Sequence, residues 1–452
     1  MKQFTIKKQV IKDMIYDKII EYRQTLITTV IMMIPVIYLL YILNVHHYIL
    51  PSFLGNSVIF RLDIYYRYFA IIFAFMHFYE LYYKKEKPSL SNCFLYLFIV
   101  MTIISTIFAH NQTIAIFGYP NRYEGLYTLL FYCFLYLNCQ KLDDSYYVKK
   151  MTKVIISVSF IHLLFVILQL TGVFSKIIYM YKSGDAIGLT SNCNFLGSLM
   201  CMLSMLTIGG YLLKDNQERI FYLISFIISY ITLLLANSTG PFISFIGTFI
   251  VYIIVLLIKK KQQWKKIFIS LILIISLYPI VLYKNDNITP EITSHINYIL
   301  DKMGIIDSNK ENGNKILTTN QLGHGRMRIW KNTWQVIEKS PWIGYGPDNL
   351  GLVYEKSKNE TKIADKAHNI YLHIISSSGI FALIGYLGFI IINIIKSLKS
   401  NNNFVIILCF SIIAYSIQGI FNINVNEVTP YFYIILGFMV SLNKQKLEGK
   451  DN

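Results

Sequence analysis

Charge is scarce in this chain. Only 15% of its 452 residues are Asp, Glu, Lys or Arg, against 54% hydrophobic residues. A soluble chain of this length carries nearer a quarter charged residues, so the composition excludes an ordinary water-soluble fold. Acid is scarcer than base: 25 Asp and Glu stand against 42 Lys and Arg, a formal net charge of +17. That excess forms no basic face or stripe. It sits in short clusters between apolar runs, so no nucleic-acid partner is expected. Cysteine is sparse too. Cys93, Cys133, Cys139, Cys193, Cys201 and Cys409 are scattered, mostly inside apolar runs, with no paired spacing. They make neither a disulfide framework nor a metal site, and read as small apolar residues. No metal or cofactor is expected. A cleavable signal is also missing from the start: residues 1–24 are basic and mixed, and the apolar run after them is too long and ends without a small-residue site.

What the chain has is apolar length. Runs of spanning size fall near 25–45, 64–83, 90–109, 125–139, 151–171, 192–213, 219–236, 240–258, 266–283, 379–396, 402–420 and 429–442, the fourth and last being short. The expected fold is an all-α polytopic membrane protein of about twelve transmembrane helices. Basic residues set its orientation. The N-terminus and alternate connections carry clusters such as Lys84, Lys85 and Lys87, then Lys149, Lys150 and Lys153, then Lys259, Lys260 and Lys261. The opposite short connections hold few: Arg61, Arg122, Lys176 and Lys182. The bias predicts a multi-pass protein of a bacterial plasma (inner) membrane with both termini cytoplasmic. The chain then divides into spans 1–9 over 1–283, a large helical extracytoplasmic loop over 284–367, and spans 10–12 over 368–452. A loop of that length implies structure of its own.

The polar residues hardest to explain by lipid or packing gather on the loop side. They occur in FGYPNRYEG with Arg122 and Glu124, in GLTSNCNFLG with Ser191, Asn192 and Asn194, in ANSTGP with Ser238 and Thr239, and in the loop itself. Within the loop, residues 326–339 read as an amphipathic helix whose apolar stripe is Met327, Trp330, Trp334 and Ile337. Arg326 and Arg328 stand in its first turn, where cations oppose the helix dipole. An anion bound there, held also by amides near Gly323 and Gly325, would justify them; the other reading is two solvated surface charges. Being two apart, they point to different sides, so only one need touch a ligand. His368 stands before the tenth span, on a face shared with Tyr371, Leu372, Ile375 and Gly379. It is either a proton-accepting group or an interfacial histidine satisfied by water. Asp63 and Arg67, four apart, are expected to pair. Arg122 and Glu124 either bind an anionic headgroup or fix their loop.

The stretch GHGRMRIWKNTWQVIEKSPWIGYGPDNL, followed by AHNIYLHIISSSG, resembles the core of the O-antigen ligase/polymerase family. The matching positions are Arg326, Trp330, Pro341, Gly344 with Gly346, and His368–Asn369 with Gly379. Arg122 with Gly125 and the Asn192, Asn194, Gly197 cluster are similar to weaker family segments. The resemblance implies a GT-C-like membrane glycosyltransferase, a surface-polysaccharide polymerase or ligase. It implies a glycan moved from an undecaprenyl diphosphate carrier to a hydroxyl of a glycan, lipid or protein acceptor outside the cytoplasm, without nucleotide sugar or metal. Arg326 would then stabilise the departing diphosphate and His368 would serve the acceptor hydroxyl. One position departs from the pattern. Where many members carry an Arg after the seventh span, this chain reads Asn237-Ser238-Thr239-Gly240-Pro241. Arg122 would replace that charge, with Ser238 or Thr239 donating hydrogen bonds. A twelve-span transporter of polysaccharide or lipid is the other functional class, and a non-catalytic scaffold a third. No half-to-half repeat favours the transporter.

Overall fold

The computed structural model describes residues 2–45, 61–120, 122–172, 186–214, 216–259, 263–282, 288–302, 325–357 and 364–447. Gly323, Lys176 and Lys182 lie outside the described residues. All the regular elements described are helices: α1 (Lys2–Val45), α2 (Leu62–Lys84), α3 (Leu90–Ile107), α4 (Gln112–Phe117), α5 (Leu126–Cys139), α6 (Ser145–Leu170), α7 (Cys193–Leu213), α8 (Asn216–Leu235), α9 (Thr239–Ile258) and α10 (Trp264–Leu282). The loop contributes α11 (Ile288–Lys302), α12 (Arg326–Ile337) and α13 (Leu350–Ser357), and the chain returns through α14 (Ile370–Leu398), α15 (Asn403–Gln418) and α16 (Thr429–Leu447). Among the described residues eight helices are long and apolar enough to cross a membrane, namely α1, α3, α6–α10 and α14, while α5 and α15 are shorter apolar helices. With α2 and α16 these stand where the sequence has its twelve apolar runs. This is an all-helical polytopic membrane protein.

The central helix is α7, whose side chains from Phe195 to Leu213 are all buried. It packs on α8, α9 and α15. Close packing there needs small residues: a Cβ at Gly197 would come within 2.9 Å of the Pro241 ring. Two clusters of buried charge are paired, as a low-dielectric surround favours. Asp63 accepts from Arg67 at 2.5 Å, as its spacing predicts, and Arg61 joins the pair at 2.9 Å. At the other end of the bundle, Glu80 gathers Arg23 at 2.5 Å, Lys84 at 3.2 Å and Lys141 at 3.5 Å.

The tenth span starts nine residues earlier than its apolar run, and it is broken. Gly379 has φ 82° and ψ 174°, so the helical ladder stops and restarts there. Backbone groups freed inside a bilayer must find partners, and here the loop supplies them. The Ile380 amide donates to the Pro341 carbonyl at 2.8 Å, while the Ser376 and Ser377 carbonyls accept from the Tyr345 and Gly346 amides at 3.0 and 2.9 Å. The Ser105 hydroxyl of α3 closes the arrangement, accepting from the Gly346 amide at 3.0 Å and donating to the Ser377 carbonyl. A Cβ at Gly379 would lie 2.0 Å from the Trp342 carbonyl oxygen, and one at Gly344 2.5 Å from the Ser377 backbone. The Gly-x-Gly turn and the glycine eleven residues after His368 are therefore two halves of one joint.

The loop elements divide. Ile288 of α11 belongs to the main core, whereas α12, α13 and the strand of chain before α14 share a small core of Val336, Leu350, Tyr354 and Ala367. The inward face of α12 differs from the expected stripe. Met327 is 39% and Trp334 51% exposed, while Thr333, Val336 and Ile337 are buried. The floor under α12 is polar: the Thr333 hydroxyl bonds that of Tyr354, and the Trp330 indole donates to the His368 carbonyl at 3.4 Å. Polar partners thus draw Thr333 inward and turn two large apolar residues out.

Candidate functional site

The segment Asp365–His368, stretched between α13 and α14, collects the site. Asn369 caps α14, its side chain accepting from the Tyr371 and Leu372 amides at 2.9 and 3.0 Å. His368 therefore precedes the helix with φ 47°, in the left-handed region, and is not on the helical face shared by Tyr371 and Ile375. A backbone reversal rather than helix periodicity aims its half-buried side chain.

Beneath this segment lies a buried ionic network that the sequence did not disclose. Lys366, 1% exposed, is ion-paired to Glu124 and, at 3.0 Å, to Asp348. The other Asp348 oxygen accepts from the Tyr119 and Glu124 amides, both at 3.0 Å. Burial works to lower the Lys366 pKa, but Asp348 and Glu124 outweigh it and hold the ammonium charged. Asp348 stays below the ordinary carboxylate range because Lys366, His373 and the Tyr119 amide overcome its desolvation. One lysine cannot fully serve two carboxylates, and burial leaves Glu124 above its ordinary value. Glu124 is thus a latch between the Arg122 loop and the approach to α14, not a group open to substrate.

Arg122 does not pair with Glu124. Its guanidinium is ion-paired to Asp365, which raises its pKa against the lowering effect of burial. The same side chain lines a cavity with Arg61, Asp63, Ser191, Asn426 and Glu427. Glu427 accepts from the Ser191 hydroxyl at 2.7 Å. Arg326, the first residue of α12, is half-buried, and burial depresses its pKa; Glu291 and the Cys193 thiol pull the other way. Among the described residues Arg326 makes no ion pair. Arg328 is exposed, on the other side of the helix as its spacing predicts, and belongs to the solvated surface.

These groups converge on His368. Burial lowers its pKa, Asp365 raises it, and Arg326, Arg122 and Lys366 each lower it, so all four charges act at one imidazole. The outcome is a neutral imidazole flanked by two guanidiniums, one committed to a carboxylate and one not. Such an arrangement can receive a proton and hold an anion side by side.

Ser238 and Thr239 stand at the start of α9. Both are buried, and the Ser238 hydroxyl donates to the Asn194 side-chain carbonyl at 2.6 Å. Its proton is committed to joining α9 to α7. The Asn194 backbone carbonyl is also used, accepting from Asn422 at 2.9 Å. Asn194 follows Cys193, whose thiol acts on the Arg326 pKa, so the start of α7 lies on the Arg326 side of the site.

Asp348, Asp365, Lys366 and Glu427 were missed by sequence reasoning. A signal existed for three of them: Asp348 follows the Gly-x-Gly turn within the first motif, and Asp365 and Lys366 stand three and two residues before His368, just ahead of the second. Nothing local announced Glu427. Comparison with curated proteins finds no match for the chain. Residues 224–387 match the family model described as O-antigen ligase. That span runs from α8 to the middle of α14 and holds Ser238, Arg326, the Gly-x-Gly joint and His368; Arg122 and Asn194 lie outside it and reach the site only through the fold. The chain is a membrane protein carrying an O-antigen ligase family domain, which supports a membrane glycosyltransferase of the ligase or polymerase type.

Proposed function

We propose that this protein transfers a glycan from an undecaprenyl diphosphate carrier to an acceptor hydroxyl, on the face of a bacterial inner membrane away from the cytoplasm. One observation carries the reading: a half-buried Arg326 without an ion-pair partner among the described residues, beside a neutral His368. A desolvated, unpaired guanidinium is costly unless an anion completes it. In the proposed step, the acceptor O–H gives its proton to the His368 imidazole while its oxygen attacks the anomeric carbon. The bond from that carbon to the phosphate oxygen breaks, and the lipid diphosphate leaves with the electron pair. Charge grows on the leaving oxygens as the bond breaks, so Arg326 stabilises the transition state more than the bound donor. Arg122 is the second cation, exchanging Asp365 for a phosphate oxygen when the donor arrives. Asn194, next to Cys193 at the start of α7, is the remaining polar candidate for contact with the donor.

The proposal places both termini in the cytoplasm and α11–α13 outside. Incubating the purified protein with undecaprenyl diphosphate-linked glycan and acceptor should release the lipid diphosphate and lengthen or attach the glycan. Failure with every acceptor class, together with carrier-independent movement of glycan across vesicles, would favour transport instead. Loss of long chains on deletion would mean a polymerase, and loss of attachment with chains intact a ligase.

A further inference from the structure

The end of the bundle opposite the loop holds a cavity of about 550 Å³, lined by the start of α3, the end of α14, the α14–α15 connection and the end of α16. Lys396, Lys399 and Lys444 line it together with serine and asparagine side chains, and no acidic residue does. Lys396 and Lys399 contrast here with other lysines at the same end. Lys84 and Lys141 are held by Glu80 and Glu86, and Lys153 and Lys214 by Glu218. Among the described residues, Lys396 and Lys399 have no carboxylate partner. A second observation is independent of charge. Ser397, 1% exposed, lines the cavity, and its Oγ has no hydrogen-bond partner among the described residues. A buried hydroxyl without a partner costs about 1–3 kcal/mol unless something completes it. Val440 adds an apolar wall.

We propose that this cavity is a binding site for a phosphate-bearing anion. The three lysines neutralise its charge and the Ser397 hydroxyl donates to a phosphate oxygen. The site stands at the ends of helices that carry apolar spans. The phosphate can come from an anionic phospholipid headgroup of the leaflet or from a soluble phosphate compound, and the chemistry of recognition is the same.

The test uses the full-length protein in a neutral detergent, with bound phosphatidylglycerol and phosphatidylcholine counted by native mass spectrometry. Phosphatidylglycerol should be retained preferentially. The combined variant Lys396→Gln, Lys399→Gln, Lys444→Gln should weaken it on the order of a hundredfold, as expected for three basic side chains beside anionic lipid. Ser397→Ala should weaken it by about tenfold, the effect of one hydrogen bond to a charged group. Displacement of the lipid by millimolar inorganic phosphate assigns the soluble source, and no displacement assigns the headgroup. The control changes Lys149 and Lys150, exposed lysines at the same end but outside the cavity. Equal loss in the control, or no preference over phosphatidylcholine, overturns the proposal.

Discussion

Replacing Lys366 by Met removes the one cation that stands between two buried carboxylates. The side chain is almost fully enclosed, and Asp348 lies 3.0 Å from its ammonium. Coulomb attraction at that distance is about 5–6 kcal/mol at an effective dielectric near 20. Removing one partner of a buried pair costs about 3–5 kcal/mol, because the other charge is left uncompensated. The cost should depend on pH in a defined direction. Without Lys366, both acids resist ionisation, and their folded-state pKa values rise above the unfolded ones. A raised acid contributes stability below the unfolded pKa and loses it as pH rises through the folded pKa. The deficit against the native chain should therefore be smallest near pH 5 and largest near pH 8. Glu124, already above its ordinary value, should take the first proton. Denaturant unfolding in detergent micelles, followed across that pH range, measures both effects. Adding Glu124→Gln and Asp348→Asn to Lys366→Met should recover most of the loss, since the three neutral groups leave no buried charge. A deficit below about 1 kcal/mol, independent of pH, would show that Lys366 is a solvated surface charge and refute the network.

The joint between loop and span makes a second test: Gly379→Ala forces a Cβ against the Trp342 carbonyl at a φ of 82°, and should cost at least about 3 kcal/mol or abolish folded protein, as read by monodisperse yield in detergent. Acid inactivation should follow His368. It must be neutral to accept a proton and its pKa is lowered, so the acid limb of kcat should lie below pH about 6.5. Asp365→Asn removes the upward pull and should move that limb to lower pH; a limb moving upward would contradict the assignment. A reporter fused near Asn312 should be active only outside the cytoplasm, and cytoplasmic activity would overturn the proposed orientation.

The helices were legible because each span repeats a simple instruction: a run long enough for the bilayer, bounded by polar residues. Capping was not read: Asn369 and Asn192 are the N-caps of α14 and α7, and overlooking the first put His368 on the helical face. The contacts between distant segments were not. Gly344 and Gly379 looked like a turn and a small residue on a helix face. Only the folded chain shows that one inserts into the other's broken ladder. Arg122 and Glu124 stand two apart and suggested one role; in the structure they take different partners, Asp365 and Lys366, with Tyr123 between them in a left-handed backbone conformation, φ 51°, that breaks the regular alternation of side chains. The stripe of α12 was misread because hydrophobicity alone cannot tell lipid-facing or solvent-facing tryptophan from core. The floor it docks on is polar. The Ser238 contact was hidden for a related reason: nothing local shows that its hydroxyl donates to Asn194, a residue of another helix.

The central claim is that Arg326 holds the leaving diphosphate, and a single-turnover transfer assay on purified variants tests it most directly. Arg326→Ala should lower the rate of glycan transfer by about a hundredfold or more, the usual cost of losing one charge-stabilising donor, with unchanged membrane insertion and thermal stability. Arg326→Lys should recover little, because a point charge cannot reproduce the two-pronged contact of a guanidinium with phosphate oxygens. Transfer at the native rate in well-folded Arg326→Ala would contradict the account.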